Sequence, residues 1–362
     1  MLVAPSFARS TLEGWKTPTP LSPLRSVTLI PDGPFPLTRM SRRTHKTLLI
    51  VAAVLLVLAL AVFLRSKAPP EAARLLPESD GIIYFNLKAI RTLAHNNFQP
   101  PDRVPEYQQF IDAIGIDPER DLDQVAIALH RMPDPNGPNG PVAYSMVLVG
   151  RITGPRLNAW LDAHATSRET YVGHTIYNLA SQDRTVRVAQ IGYDVVAISN
   201  TPTPEQIHSI LDRHRAAALP FSGSSLLERH YHDVPLLSLA WGVGQIGLPF
   251  SESGSIHVFG FALPLEPDST IIASVAPTLP VPGSLAALRV KIEEIAPTQD
   301  KAASQAADLS TLVTLARSLA QPLADTNTNA AFKELLKTAE VEQHGECVVV
   351  TATIAASTLA HL

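Results

Sequence analysis

The segment from Leu48 to Leu64 (LLIVAAVLLVLALAVFL) has seventeen residues and no charged or polar side chain. A surface helix of a globular protein is apolar on one side, whereas this segment would be apolar on every side of a helix. With Thr47 included and about 1.5 Å of rise per residue, such a helix reaches roughly 27 Å, close to the hydrocarbon thickness of a bilayer. The segment therefore predicts a single transmembrane helix with the lipid bilayer as its partner.

The charges that flank this segment predict its orientation. The flank before it is the more basic of the two, with Arg39, Arg42, Arg43 and Lys46 against Arg65 and Lys67 after it. Because cytoplasmic flanks carry the excess of Lys and Arg, we expect a cytoplasmic N-terminus and an exported C-terminal body. The sequence thus predicts a single-pass protein of the bacterial inner membrane with a periplasmic body.

Two other interpretations of the apolar segment are less favoured. A cleaved signal peptide has an apolar core of about 7–15 residues followed by a small-x-small cleavage site. Here the apolar run is longer and continues into Arg65-Ser66-Lys67 without such a site. A buried core helix also has a shorter apolar stretch, of about 10–14 residues. We therefore predict an uncleaved signal anchor.

The charge differs between the two sides of the anchor. Residues 1–64 carry seven Lys/Arg against two Asp/Glu, a net charge of +5, whereas the rest carries 22 against 31, a net charge of −9. Nucleic-acid binding requires a basic surface that faces phosphates, so the acidic body argues against nucleic acid as a partner. The chain contains no Asn-x-Ser/Thr acceptor, which agrees with a bacterial envelope protein better than with a eukaryotic secreted one.

Composition and patterning divide the chain into five parts. Residues 1–39 are rich in Pro, Ser and Thr without periodicity and predict a disordered extension. Met40 directly precedes Ser41-Arg42-Arg43, an ordinary start for a signal anchor, so Met1 and Met40 are both candidate initiators. The predicted parts are the extension 1–39, the cytoplasmic flank and anchor 40–67, a stalk 68–80, and two α+β halves, 81–221 and 222–362.

The body alternates between strand and helix patterns. Residues 81–215 predict the order β-α-β-β-α-β-β-β-α, beginning with the strand Gly81–Leu87 and ending with a helix that starts at Thr203-Pro204. Helices between antiparallel hairpins are typical of an α+β fold with helices packed on one face of an antiparallel sheet. The similar style of the second half allows two similar halves, although no residue-level repeat links them.

The second half predicts three helices and a closing hairpin. Apolar residues at helical spacing predict helices over Ser284–Ile295, Ala302–Leu319 and Ala330–Thr338. The alternating segments Ala339–Gln343 and Glu346–Ile354 predict the hairpin.

A metal site is one hypothesis for the segment His230-Tyr231-His232-Asp233. On a strand, residues two apart share a face, so the imidazoles of His230 and His232 could bind one ion. The sequence identifies no third or fourth ligand, and a polar connecting loop explains the segment equally simply. His230 and His232 are therefore weak metal candidates, and no other site residue is predicted.

Other catalytic and cofactor motifs lack the context that they require. Gly242-Val-Gly244-Gln-Ile-Gly247 matches G-x-G-x-x-G, but Pro249 and the residues after it do not predict the helix that holds a pyrophosphate. Gly223-Ser224-Ser225 lacks the second glycine of a nucleophile elbow. The lone Cys347, in an apolar run, is typical of a small buried side chain. The sequence thus predicts no catalytic residue and no cofactor.

Three motifs give the chain a family resemblance. They are LLPESDGIIYFNLKAIR from Leu75, IGIDPERDLDQVAIAL from Ile114, and the final EVEQHGECVVVTATI from Glu340. Together with the anchor, they resemble a family of uncharacterised, membrane-anchored envelope proteins of acidobacteria and related bacteria over about residues 48–355. The resemblance implies membrane topology and architecture, and it implies no catalytic residue.

These observations favour a non-enzymatic function. We expect the exported body to act as a binding or scaffolding module for an unknown envelope protein. Two alternatives remain open: an envelope hydrolase or metal-dependent enzyme with an unrecognised site, and a protein that binds lipid or another hydrophobic ligand between helices and sheet.

Overall fold

The structure is a computed structural model of the chain. It describes residues 50–59, 68–93, 103–136, 140–152, 154–181, 184–216, 223–245, 255–258, 261–264, 269–278, 287–321 and 327–355. Residues 1–49, which include the predicted N-terminal extension and the basic flank, lie outside the described residues.

Part of the predicted anchor is helical. Residues 50–59 form helix α1, and each of these ten apolar residues is exposed; among the large side chains, Leu56 is the most exposed at 70%. The other residues of Leu48–Leu64 lie outside the described ranges. Among the helices that the structure describes, none is both long enough and apolar enough to cross a membrane.

The body is an α+β structure, as the sequence predicts. The first half contains α2 (Glu71–Arg74), β1 (Gly81–Phe85), α3 (Leu87–Leu93), α4 (Pro105–Ile114), α5 (Pro118–Asp121), β2 (Leu122–Arg131), β3 (Val142–Gly150), α6 (Pro155–His164), β4 (Ala165–Tyr171), β5 (His174–Ser181), β6 (Arg184–Ile191), β7 (Val195–Ser199) and α7 (Glu205–Arg215). Local side-chain chemistry determines where several helices begin. Asp117, for example, caps α5 by accepting the Glu119 N–H, and Pro118 occupies the first turn of this helix.

The second half begins with α8 (Ser225–His230) and a 3₁₀ turn, Tyr231–Asp233. It continues with β8 (Ala240–Gln245), β9 (Ser255–Val258), β10 (Phe261–Pro264), β11 (Thr270–Pro277), β12 (Ala287–Ile295), α9 (Gln299–Ala320), α10 (Asn327–Thr338), β13 (Glu340–His344) and β14 (Cys347–Ala355). The prediction of a helix over Ser284–Ile295 is wrong, because this stretch contains β12, which pairs with both β11 and β14.

One antiparallel sheet spans both halves. Its described strands lie in the order β13-β14-β12-β11-β8-β1-β2-β3-β7-β6-β5-β4, so that β13 and β4 are the two edges. In the first half, β1, β2 and β3 are neighbours, and after α6 the chain returns through β4–β7 until β7 pairs with β3. In the second half, β8, β11 and β12 are neighbours, and after α9 and α10 the chain returns through β13 until β14 pairs with β12.

The halves meet where β1 pairs with β8, and Tyr84 lies opposite Trp241 there. Their rings stack with centroids 5.4 Å apart. The predicted boundary at 221/222 falls between β7 and β8, so a continuous sheet joins the residues on either side of it. The five-part division itself stays a prediction.

Helices cover both faces of the first half. On one face, α2, α7 and α8 pack on a cluster that contains Ile82, Val147 and Ala197. On the other face, α4 and α6 pack on Leu148 and Val196. The expectation of helices on one face is therefore wrong for this half, because strands such as β7 (VVAIS) are apolar on both faces and both must be covered.

In the second half, α8 packs on Trp241 of β8, whereas the described helices at the outer strands β12–β14 lie on the opposite face alone. Helices α9 and α10 pack on Val348, Leu288 and Ile354. The opposite face of β12, β13 and β14 carries polar side chains, including Arg289, Lys291, Glu293, Thr351, Thr353, Glu340 and Glu342. Alternation of apolar and polar residues along these strands is the pattern expected for a sheet with one solvated face.

Candidate functional site

The predicted metal candidates lie on a helical segment. Ser224 caps α8 by accepting the Leu227 N–H, and the chain continues from His230 into the 3₁₀ turn. The strand geometry on which the metal hypothesis rested is therefore wrong, because residues two apart in a helical turn do not share a face. His232 instead contacts Asp233, with Nε2 and Oδ1 3.2 Å apart. Nowhere in the described ranges do three His, Cys, Asp or Glu side chains lie close enough together to share a metal ion.

Two surface grooves of similar size lie at the two edges of the sheet. One lies between edge strand β4 and helix α7 and has a volume of about 580 Å³. The other lies between edge strand β13 and helix α9 and has a volume of about 550 Å³. Sheet edges and the grooves beside them are recurring sites of peptide recognition, so we treat both grooves as candidate sites.

Side chains that stack on or hydrogen-bond to one another line the β4–α7 groove. The rings of Tyr171 and His208 stack 3.8 Å apart with 6° between their planes. The Tyr171 hydroxyl donates to Asp212 at 2.9 Å, and His208 Nε2 lies 3.1 Å from the Glu169 carboxylate. The hydrogen bond to Asp212 raises the pKa of the Tyr171 hydroxyl, because it favours the protonated form.

An ion pair lies at one end of the β4–α7 groove. Arg213, which lines it, donates to the Glu78 carboxylate at 2.8 Å. Although burial would raise the pKa of Glu78, hydrogen bonds from Ser225 and Arg213 prevail and lower it. Chemically, an imidazole held by a carboxylate can accept a proton, and Ser209 is a hydroxyl on the same wall.

The β13–α9 groove has a different character. Its α9 wall contributes Val313, Thr314 and Arg317, and its floor contains Val341 of β13. The Arg317 guanidinium donates to the carbonyls of Leu336 and Ala339, so it holds the connection from α10 to β13 against α9. The groove is therefore built on a fixed backbone.

Two acidic side chains flank this groove on β13. Glu340 and Glu342 are exposed and project from the face opposite α9, since Val341 between them packs toward α9. Glu342 lies 3.0 Å from His344. Within the described part of the chain, no Lys or Arg forms an ion pair with either carboxylate. This edge therefore carries negative charge without a strong cationic partner.

A small apolar pocket lies between α3 and α5. It measures about 180 Å³ and is lined by Leu87, Ile90, Arg91, Pro118, Glu119 and Leu122. This volume is comparable to an engineered cavity of about 150 Å³ that binds benzene. The pocket therefore accommodates a small apolar group rather than a whole lipid chain.

A buried chain of hydrogen bonds joins β2, β3 and β7. It runs from the Glu78 carbonyl through His130, Ser145, Ser199 and Thr201 to the Thr203 carbonyl, with contacts of 2.9, 3.2, 2.9 and 2.9 Å from His130 onward. Both ends are acceptors, so the five links need five hydrogens, whereas three hydroxyls and a neutral imidazole supply four.

A protonated His130 would supply the fifth hydrogen of this chain. Burial nevertheless lowers the pKa of His130, and the nearby Asp80 charge and the Glu78 carbonyl offset this effect only partly. Because Ser145 is fully buried, its contact with His130 belongs to the core and is closed to a substrate.

Sequence reasoning missed the residues of both grooves. Strand β4 (ATSRETY) is polar, so it lacks the alternation that marks a strand, and Tyr171 and Glu169 were not recognised. The β13–α9 groove depends on β13 being an edge, which follows from the strand order alone. A usable signal was the pair of acidic residues alternating with Val341 in a predicted strand.

Comparison with known proteins assigns no family. No family model matches the chain, and no curated protein matches it. Similar solved structures include crystal forms III, I and IV of the Treponema protein TP0453. Form III has a TM-score of 0.42 and 12% identity over 81% of this chain and 97% of that chain. Forms I and IV have TM-scores of 0.40 and 0.39 at 10% identity, over 81% and 82% of this chain and 96% and 97% of the other chain. At these values the similarity assigns neither family nor function, and the acidobacterial resemblance stays a prediction.

Proposed function

We propose that this chain is a single-pass protein of a bacterial inner membrane whose exported body binds an envelope protein without catalysing a reaction. The observation that carries the proposal is helix α1, in which ten consecutive apolar residues are all exposed. Exposed apolar surface of this kind marks contact with a membrane or a partner. Leu48–Leu64 extends the same composition to a length that suits a bilayer.

The charge distribution supports the orientation of the body. The basic flank before Leu48 favours a cytoplasmic N-terminus and therefore an exported C-terminal body. The two edge grooves support the binding role, since each places an edge strand beside a helix.

Membrane extraction tests the anchor. Membranes from bacteria that express the full chain with a C-terminal tag are washed with alkaline carbonate, and the pellet and supernatant are probed for the tag. We expect the protein in the pellet, and we expect protease added to spheroplasts to degrade the tagged body. The variant Leu55→Lys/Leu58→Lys introduces two charges into the segment, each costing about 2.5–3.5 kcal/mol in a bilayer centre, and should move to the supernatant.

The matched control is Leu236→Lys/Leu237→Lys, which changes two exposed leucines of the body and should stay in the pellet. Wild-type protein in the carbonate supernatant, or a tag protected from protease in intact spheroplasts, would contradict the proposed topology.

An enzyme is the second candidate, because His208 in the β4–α7 groove is oriented by Glu169 and lies next to Ser209. Nucleophilic hydrolases use a general base that is held by a carboxylate and lies within hydrogen-bond reach of a hydroxyl; of these two contacts, the described residues show the one between His208 and Glu169. Hydrolysis of p-nitrophenyl acetate by the full-length protein, lost in His208→Ala and retained in His164→Ala, would support it. The hypothesis of a metal-dependent enzyme is tested by metal analysis of the wild type and of His230→Ala/His232→Ala. It requires a stoichiometric metal in the wild type that is lost on substitution.

A further inference from the structure

Among the described strands, β13 lies at one edge of the sheet, and only β14 pairs with it. It pairs with β14 from Glu340–Thr351 to His344–Cys347, and two residues, Gly345 and Glu346, form the turn. In a hairpin with a two-residue loop, the residues that flank the turn form a hydrogen-bonded pair, and the pattern alternates along the strand. The N–H and C=O groups of Val341 and Gln343 therefore point away from β14, toward the open edge.

The side chains at these two positions lie on the face of the sheet that α9 covers, and that of Val341 lines the groove. Val341 packs in the apolar cluster under α9, and Gln343 lies two residues further on the same face. A strand added beside β13 would place alternate side chains against Val313 and Thr314 of α9. Small apolar side chains suit this wall, because Arg317 already directs its charge to backbone carbonyls.

The other face of the same edge selects for positive charge. Side chains of an added strand that alternate with the apolar ones would lie beside Glu340 and Glu342, which are exposed. Opposite charges directly across neighbouring strands are favourable and like charges are unfavourable. The complementary strand is therefore one in which cationic and small apolar side chains alternate.

A second copy of this chain fits the edge poorly. Antiparallel pairing of β13 with itself would bring the acidic residues of both copies together. Edge strand β4 of another copy has a register shift between Ala165 and Ser167, and its Arg168 is already paired with Asp162 at 2.9 Å. Bulges and charges of this kind oppose edge-to-edge pairing.

We propose that the β13–α9 groove binds a partner protein by strand addition, and that the bound segment is extended with alternating cationic and small apolar residues. This proposal rests on the proposed binding role of the body and names the site and the chemistry of the partner. Backbone hydrogen bonds to Val341 and Gln343 hold the bound strand. Glu340 and Glu342 favour cationic side chains in it, and α9 leaves room for small apolar ones.

Fluorescence anisotropy of a labelled peptide tests the proposal on the full-length protein in detergent. The probe is Lys-Val-Lys-Val-Lys with blocked termini, and the comparison probes are Glu-Val-Glu-Val-Glu and the scrambled Lys-Lys-Lys-Val-Val. We expect saturable binding of the first probe alone, weakened by added salt. Glu340→Lys/Glu342→Lys should weaken it roughly 3- to 10-fold, the effect of two exposed charge pairs, and should allow the acidic probe to bind.

The charge control is Glu346→Lys, an exposed acidic residue in the turn, which should leave affinity within about 2-fold. Gln343→Pro removes an outward N–H without removing a backbone bond to β14, and it also removes the exposed side-chain hydrogen bonds to the Gln299 and Gly345 carbonyls. Gln343→Pro should therefore bind the probe more weakly than Gln343→Ala, which loses the side chain alone. Equal binding of the alternating and scrambled lysine probes, or no effect of the Glu340/Glu342 double substitution, would overturn the proposal.

The proposal and the general binding role fail in different ways. If crosslinking in native membranes joins a partner to Ser209 or Ser167 at the β4 edge, with no crosslink and no probe binding at β13, the binding role stands and the assignment to β13 is wrong. If neither edge crosslinks, both fail.

Discussion

Each half of the sheet begins with three neighbouring strands and returns to pair with the third of them after one or two helices, but the two halves are covered and closed differently. The first half carries helices on both faces, and its edge strand β4 has a bulge and a charge-paired groove. In the second half, the outer strands β12–β14 carry α9 and α10 on one face, and edge strand β13 pairs with β14 without a register shift. Sheet edges are normally protected by bulges or by charged side chains. One half therefore ends in a bulged edge strand, and the other ends in a regular edge strand whose exposed charges are acidic.

The largest expected effect concerns the junction between the halves. Trp241 is 3% exposed, stacks on Tyr84 and contacts Tyr231 with ring centroids 5.5 Å apart. We expect Trp241→Ala to lower the free energy of unfolding by about 3–5 kcal/mol, and Trp241→Phe by less. Urea denaturation followed by circular dichroism gives the size. Amide exchange then checks cooperativity: persistent protection of β12–β14 after loss in β2–β7 would show that the halves unfold independently.

The next effect compares helix packing in the two halves. Leu161 of α6 and Leu309 of α9 are 1% and 3% exposed. Each Leu→Ala substitution should lower the free energy of unfolding by about 2–5 kcal/mol. Leu309→Ala should also weaken binding of the Lys-Val probe, because α9 forms a wall of the groove, whereas Leu161→Ala should not. Equal effects of the two variants on probe affinity would contradict the assignment of the groove to α9.

The sequence predicts β13, β14, α9 and α10 well because their periodicity is regular. It fails at β12 (ALRVKIEEI), where Leu288 and Ile292 fit helical spacing while Leu288, Val290 and Ile292 fit strand spacing equally well. Tertiary pairing decides this case, since β12 forms nine register pairs with β14. Tertiary context overrides local propensity in the same way for other short segments.

The candidate sites were less accessible to sequence reasoning than the fold. The β4–α7 groove joins Tyr171 and Asp212, which are 41 positions apart. The importance of Val341 and Gln343 depends on β13 lying at an edge, and strand order is not encoded in local patterns. The helix that contains His230 begins at the cap residue Ser224. Because the segment from His230 to Asp233 is polar, its sequence did not indicate this helix.

A smaller effect concerns pH and the first half. Because burial lowers the pKa of His130, the folded state binds fewer protons than the unfolded state, in which a histidine titrates near 6.5. The contribution to stability is therefore complete above about pH 6.5 and decreases as the pH falls, by at most about 1.4 kcal/mol per pH unit. Denaturation of wild type and His130→Asn between pH 5 and pH 7.5 measures it; an identical pH dependence in both would show that His130 is not responsible.

The smallest expected effect concerns the edge strand β4. Tyr171→Phe removes the hydroxyl that donates to Asp212 and should lower the free energy of unfolding only slightly, because this hydrogen bond is exposed to water. Because this hydrogen bond lies at β4, probe affinity at β13 should stay unchanged. A loss of probe binding in Tyr171→Phe would mean that the β4–α7 groove, and not the β13–α9 groove, holds the peptide.

The difference between the two edges can be measured directly by amide hydrogen exchange on the full-length protein, with and without the Lys-Val-Lys-Val-Lys probe. The hairpin registers direct the amides of Val341 and Gln343 outward at β13, and those of Arg168 and Thr170 outward at β4. We expect the probe to slow exchange at Val341 and Gln343 and to leave Arg168 and Thr170 unchanged. Protection at β4 instead of β13, or no protection at either edge under saturating probe, would contradict the account.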